Sequence, residues 1–272
     1  MHIQDAVLTP EGRGFLVYRV VTPQAPCDPF LLLDDTADIV IPKGDPFPAG
    51  PHPHRGFETV TYVLKGVAYH KDSMGREGAV GAGGVEWMRA GSGLVHDLAG
   101  DWPPSDGTPL QVLQLWVNLP AADKFLPPAF AITEPEDVPV ALVPGGTVRV
   151  IADRFGGTVH RGGTHLAITY LHVRLERGAL DVPHNVGDNA FVYVLAGAGR
   201  FNETPVAAHQ RVDVDAALTV TTETGIDMIY LSAPPLREPI VVYGPFVMNT
   251  REEIAAAFAD YHAGKMSGTS GA

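Results

Sequence analysis

Short β-forming runs, each stopped by glycine, proline, aspartate or asparagine, recur along the chain. "GFLVYRVV", "ETVTYVLKG", "LQVLQLWVNL", "HLAITYLHVRLE", "NAFVYVLAG", "RVDVDAALTVTT" and "DMIYLSA" are such runs, and "KDSMG" and "NETP" read as turns. β-Branched and aromatic side chains suit a pleated, half-buried surface, while Gly, Pro and Asn supply the backbone angles of tight turns. With 30 Gly and 24 Pro among 272 residues, the chain favours short strands over long helices. Strands this short and this frequent predict an all-β sandwich or jelly-roll barrel.

The pattern has an internal echo. Tyr62-Val63-Leu64-Lys65-Gly66 matches Tyr193-Val194-Leu195-Ala196-Gly197 at an offset of 131 residues (193 − 62), about half the chain. A repeat at that period predicts two similar β domains, 1–130 and 131–272. The Pro-rich stretch from Pro120 to Pro144 reads as the linker between them. The end of the chain differs. In "MNTREEIAAAFADYHAG", Thr250 and Glu253 form a capping box, and Ile254, Phe258 and Tyr261 recur at helical spacing as a packing stripe. Gly264 can end the helix, which is predicted over about 250–264.

Charge narrows the function classes. The net charge is −12, and no Lys/Arg cluster exceeds two residues. Phosphate backbones and anionic lipid surfaces repel such a chain, so neither direct nucleic-acid binding nor membrane binding is expected. A lone cysteine, Cys27, excludes an intramolecular disulfide and any CxxC site. No apolar run approaches the length of a membrane span, and the opening "MHIQDAVLTP" lacks a basic stretch followed by an apolar one. The expected location is cytoplasmic. No P-loop, dinucleotide fingerprint, GxSxG elbow or HExxH is present.

Of eleven histidines, three stand in a pattern that can hold a metal. His52 and His54 flank Pro53 in "PHPHRGFETVTYVLKG". Alternation along a strand puts both imidazoles on one face with Cα atoms about 6–7 Å apart, close enough to converge on one ion. His96 closes "AGSGLVH", where Gly91 and Gly93 permit a turn that brings it back across a barrel. His160, His165, His172, His209 and His262 show no convergent spacing.

Six segments, "DPFLLLDD", "HPHRGFETVTYVLKG", "HKDSMG", "VEWMRAGSGLVH", "NAFVYVLAG" and "GPFVMNTREEIAAAFADYHAG", resemble the pirin family of the cupin superfamily, in the family's order and across nearly the whole chain. The resemblance implies two cupin double-stranded β-helix (jelly-roll) barrels with a short C-terminal α-helix, a metal-binding N-terminal domain and a metal-free C-terminal one. The echo offset sets Pro183 and Asn185, poor metal ligands, opposite His52 and His54, with His184 between them facing away.

The family's site uses an HxH, a third histidine and a glutamate two residues after it. His52, His54 and His96 match the histidines, and the glutamate position holds Leu98. Asp97 is one residue off and faces the other way on a regular strand. Glu58, four residues after His54, stays on the histidine face if alternation is unbroken, and is the candidate catalytic carboxylate. The resemblance implies one divalent transition metal, Fe(II) first, with Zn, Ni, Mn or Cu as alternatives. Imidazole suits all of these. Three neutral histidines leave such an ion at net +2, which favours a small aromatic or anionic oxygen ligand in its open positions.

Pirins include quercetin 2,3-dioxygenases, so the leading expectation is a metal-dependent oxidoreductase of that type. Its activity is expected to be weak, because the family's glutamate is Leu98 here. Two alternatives stand beside it. One is a metal-dependent regulatory protein, a transcriptional co-regulator or enzyme-binding module acting through protein partners. The other is a three-histidine zinc site for hydrolysis.

Overall fold

The five-residue echo occupies equivalent places in two barrels. In the computed structural model, which describes residues 1–12, 15–44, 50–97 and 107–266 (Asp97 by its backbone only), Tyr62–Lys65 ends the strand Phe57–Lys65. Tyr193–Gly197 lies within Asn189–Phe201. Each is a central strand of its sheet. Phe57–Lys65 runs between Val85–Arg89 and Gln111–Asn118, and Asn189–Phe201 between Gln210–Asp213 and Ile226–Ala233. Both echoes reach a left-handed glycine, Gly66 at φ 76° and Gly197 at φ 78°. A Cβ would stand 2.8 Å from the Pro109 carbonyl oxygen at Gly66 and 2.2 Å from that of Gly225 at Gly197, so both positions need glycine.

The fold is all-β with one α-helix among the described residues, Arg251–His262. Thr250 Oγ1 accepts from the Glu253 N–H at 3.2 Å, and Glu253 Oε2 accepts from the Thr250 N–H at 3.0 Å, so the predicted capping box forms. Ile254 and Ala257 bury against Phe246, Met248 and Met266, with Phe258 and Tyr261 beside them. Gly264, at φ 72°, follows the helix end.

The chain divides into two units whose ends differ from the expected cut at 130/131. One unit gathers Leu8–Pro26, Phe30–Pro135 and the chain from Leu236 onward; the other holds Met1–Val7, Cys27–Pro29 and Glu136–Pro235. Hydrogen bonding and packing explain both departures. Ile3–Asp5 pairs with Gln210–Asp213, which joins the N-terminus to the second unit. The helix buries its apolar side on Val95 and the Val241–Tyr243/Phe246–Met248 hairpin, and its Asp260 takes the Arg55 guanidinium at 3.0 Å, which joins it to the first. The Pro120–Pro144 stretch is no bare linker either. Ala129–Thr133 pairs with Val85–Arg89 in the first unit, and Val140–Val143 with Gly146–Phe155 in the second.

The first unit builds its barrel from two main sheets. One orders Ala129–Thr133, Val85–Arg89, Phe57–Lys65, Gln111–Asn118, Phe30–Asp35, Phe15–Val21 and Val7–Glu11. The other orders His52–His54, Leu94–Asp97, Val67–Asp72 and Glu77–Gly81. Register fixes the inward face. Val63 stands opposite Val112, Thr61 opposite Gln114 and Thr59 opposite Trp116. Val63, Ala68, Val80 and Val112 close one end as an apolar plug. In the second unit the matching interior is filled by apolar side chains, among them Val148, Leu171, Val192, Val194, Phe201 and Met228.

Candidate metal centre

The HPH segment forms a three-residue strand, antiparallel to Leu94–Asp97, with His52 directly opposite His96 and His54 opposite Leu94. His52, His54 and His96 therefore share a face, and Pro53 with Val95 takes the other. The turn that returns His96 uses the two glycines expected. Gly91 has φ 49° and Gly93 φ 122°, and a Cβ on Gly91 would stand 2.1 Å from the Leu126 carbonyl oxygen.

The three rings converge, with centroids 4.8 Å apart for His52 and His54, 4.4 Å for His52 and His96, and 5.0 Å for His54 and His96. One nitrogen from each lies within 4.8 Å of the others, and among the described residues no other three His, Cys, Asp or Glu side chains converge this way. Two nitrogens about 2.1 Å from one ion are at most about 4.2 Å apart, so small ring rotations complete a three-nitrogen set.

Hydrogen bonds point the lone pairs. His52 Nδ1 lies 2.8 Å from the Gly50 carbonyl oxygen and His54 Nδ1 3.1 Å from that of Pro245. A carbonyl can only accept, so Nδ1 carries the proton and Nε2 is left with its lone pair, as metal-binding imidazoles require. His96 is buried with no hydrogen bond at either nitrogen among the described residues. An unsatisfied buried polar group costs about 1–3 kcal/mol, and a metal ion is a partner that would offset it. Burial, with His52 beside it, lowers the His54 pKa to about 3, and burial with three neighbouring histidines drives His96 well below its usual value. Both are neutral at pH 7.

The carboxylates fall differently from the expectation. Gly56, at φ 90°, breaks the strand between His54 and Phe57, so alternation does not carry across it. Glu58 stands opposite Val117 and Arg89, on the face opposite to Thr59, Thr61, Gln114 and Trp116. It neither joins the histidines nor lines their cavity. Leu98 and the Asp97 side chain lie outside the described residues. Arg55 donates to the Ser92 carbonyl oxygen at 2.7 Å and to Asp260 at 3.0 Å.

Sequence reasoning missed a buried network behind His96. The His70 ring lies 5.6 Å from that of His96 and stacks on Phe130 at 4.1 Å. Its Nε2 is 3.2 Å from Asp72, which also binds Arg76 at 2.7 Å. Its Nδ1 is 3.1 Å from a Glu86 oxygen without hydrogen-bond alignment, so that contact is electrostatic. Burial opposes charging His70, but Asp72 and Glu86 outweigh it and raise the pKa to about 9. A pKa raised above the unfolded value of 6.5 gives stability that is full below that pH and lost as pH rises through about 9. The metal-free protein should therefore lose stability between pH 7 and 9.5, and His70→Gln should flatten that slope in denaturant titrations. "HKDS" gave a weak signal here, since His70 and Asp72 share a strand face.

A cavity of about 680 Å³ opens from the three histidines, walled by Phe15, Val17, Leu32, Val112 and Trp116 and by the polar Arg19, Asp34 and Gln114. Trp116 stands edge-on to His54 at 5.2 Å. The site can hold a metal beside a mainly apolar chamber sized for a small organic ligand.

Comparisons with known proteins agree with this architecture. Residues 17–117 match the Pirin family and residues 170–267 the Pirin C-terminal cupin domain. The chain is 40% identical to a pirin-like protein of Caulobacter vibrioides, over 94% of this chain and 95% of that one. It is similar to the crystal structure of a quercetin 2,3-dioxygenase from Acinetobacter baumannii, at TM-score 0.90 and 32% identity over 98% of this chain and 97% of that one. It shares a fold with a bacterial pirin from Escherichia coli solved in complex with nickel(II), at TM-score 0.66 and 20% identity over 86% and 99% of the two chains. Two cupin barrels, a three-histidine cluster in the first and sequence matches in both place this chain in the pirin family.

Proposed function

We propose that His52, His54 and His96 hold one divalent transition metal, iron(II) in the working protein, and that the protein is an oxidoreductase of the quercetin 2,3-dioxygenase type. The observation that carries this reading is His96, a buried imidazole whose two nitrogens are unpartnered among the described residues, set between two histidines whose Nε2 atoms are free to coordinate. The likeness to a quercetin 2,3-dioxygenase at 32% identity supports the substrate class. When bound, iron supplies Lewis acidity and redox contact between a flavonol and dioxygen. The chain's own residues do the rest. The Gly50 and Pro245 carbonyls orient His52 and His54, and the apolar walls exclude water and receive flat rings.

Proton transfer is the weak point. The family's glutamate would take the substrate's hydroxyl proton beside the metal, and Leu98 has no group to do so. Glu58 does not replace it, since it belongs to the opposite strand face. Turnover of quercetin by iron-loaded protein is therefore slow, and Leu98→Glu should raise it by about 10²-fold or more, the scale of one general base. Rapid native turnover, with no gain in the variant, would contradict this part of the reading.

A further inference from the structure

The inner wall of the histidine cavity carries a polar belt that the metal chemistry does not use. Register puts Arg19 opposite Asp34, Asp34 opposite Gln114, and Gln114 opposite Thr61. Arg19 Nε and Nη2 donate to the two Asp34 oxygens at 2.9 and 2.7 Å, and Thr61 Oγ1 donates to Gln114 Oε1 at 3.2 Å. Arg19 Nη1 and Gln114 Nε2 make no hydrogen bond among the described residues, yet both side chains line the cavity. Arg19, Asp34 and Gln114 thus line the chamber together, with Glu11 also accepting from Arg19 Nη2.

The belt lies at a set depth. Trp116 touches His54, and Leu32 stands opposite Trp116. Gln114 and Asp34 are the next inward residues on the same two strands, about 6.5–7 Å farther along. A flat ring held in the Trp116/Leu32 layer would have the histidines at one end and the belt at the other. Polar groups in so apolar a wall cost desolvation unless something pairs with them. The Arg19–Asp34 pair satisfies part of that need, and the two unused donors are left for a ligand.

We propose that Arg19, Asp34 and Gln114 form a recognition subsite for hydroxyl groups at the far end of a polyhydroxylated aromatic ligand whose near oxygens lie at the three histidines. The inference rests on the reading of the site given above and adds what selects among its ligands. Arg19 Nη1 and Gln114 Nε2 donate to ligand oxygens, and Asp34 accepts from a ligand hydroxyl. A purely structural belt would stiffen the barrel without sensing the ligand's far end.

The test is equilibrium binding, by tryptophan fluorescence, to iron(II)-loaded protein held without oxygen. Quercetin is compared with 3-hydroxyflavone, which keeps the same chelating pair and lacks the other hydroxyls. The native protein should prefer quercetin by about tenfold, the worth of one to two net hydrogen bonds. Gln114→Met, close in size and without the donor, should cut that preference to about threefold or less while leaving the affinity for 3-hydroxyflavone unchanged, which also shows that the variant is folded. Equal native affinities, or a preference untouched in Gln114→Met, would overturn the subsite while leaving the metal reading in place. Failure of both flavonols to bind the iron-loaded native protein would overturn the reading of the site and the subsite with it.

Discussion

His96→Leu should abolish stoichiometric metal binding and at the same time stabilise the metal-free protein. His96 is buried with both nitrogens unpartnered among the described residues, so the apo fold bears the desolvation of two polar atoms with nothing in return. Leucine of similar breadth removes that cost, and a gain of about 1–3 kcal/mol in denaturant unfolding of the apo protein is expected. The native protein should recover a comparable amount on metal loading, because an ion at 100 times its dissociation constant adds about 2.7 kcal/mol to the folded state. The variant should recover none. A histidine kept for packing alone predicts the reverse, with stability lost in the variant and metal affinity unchanged. Opposite effects on stability and binding mark a residue retained for function.

The second large effect is expected at Gly56, two residues after His54. Its φ is 90°, and a Cβ there would stand 1.9 Å from the Val247 carbonyl oxygen and 2.8 Å from Met248 Sδ. Backbone cannot yield by that much, so Gly56→Ala must push the Phe246–Met248 strand away. Contacts to a buried lysine go with it. Lys124, fully buried, donates to the Gly56 oxygen at 2.7 Å, Asn118 Oδ1 at 2.6 Å and the Val247 oxygen at 3.2 Å. Burial already pulls its pKa down to about 8, so the loss of two acceptors leaves a poorly compensated buried ammonium. Breaking such a buried charge from its partners costs about 3–5 kcal/mol. Pro245, which orients His54, lies in the displaced segment. Gly56→Ala should therefore lose at least about 4 kcal/mol, expose the C-terminal helix to limited proteolysis and weaken metal binding by 10–100-fold through the misoriented His54. Native stability and an uncut C-terminus in this variant would show that the tail does not support the site.

The barrels and the histidine trio were legible in the sequence because they rest on local rules. Strand alternation places His52 with His54, a Gly-rich turn returns His96, and a capping box starts the helix at Thr250. The echo was legible because both copies must end on a left-handed glycine. What could not be read depends on a break or on register. One glycine at φ 90° cancels the alternation that seemed to carry Glu58 to the histidine face. The belt of Arg19, Asp34 and Gln114 joins residues 15 and 80 apart in sequence that meet only because three strands pair in one register. Glu86 and His70 likewise meet across strands, with no shared motif. The exchanged chain ends follow from which exposed strand and which apolar surface each terminus finds, and neither is written in the terminal sequence itself.

X-ray absorption at the iron edge of protein loaded with one equivalent of iron(II) reads the metal's ligand set itself. The expected result is one ion per chain with three imidazole nitrogens at about 2.1 Å and remaining positions filled by light oxygen donors, and loss of this signature in His54→Ala. Iron that does not bind, or that binds with fewer than three imidazoles and is unaffected by His54→Ala, would contradict it.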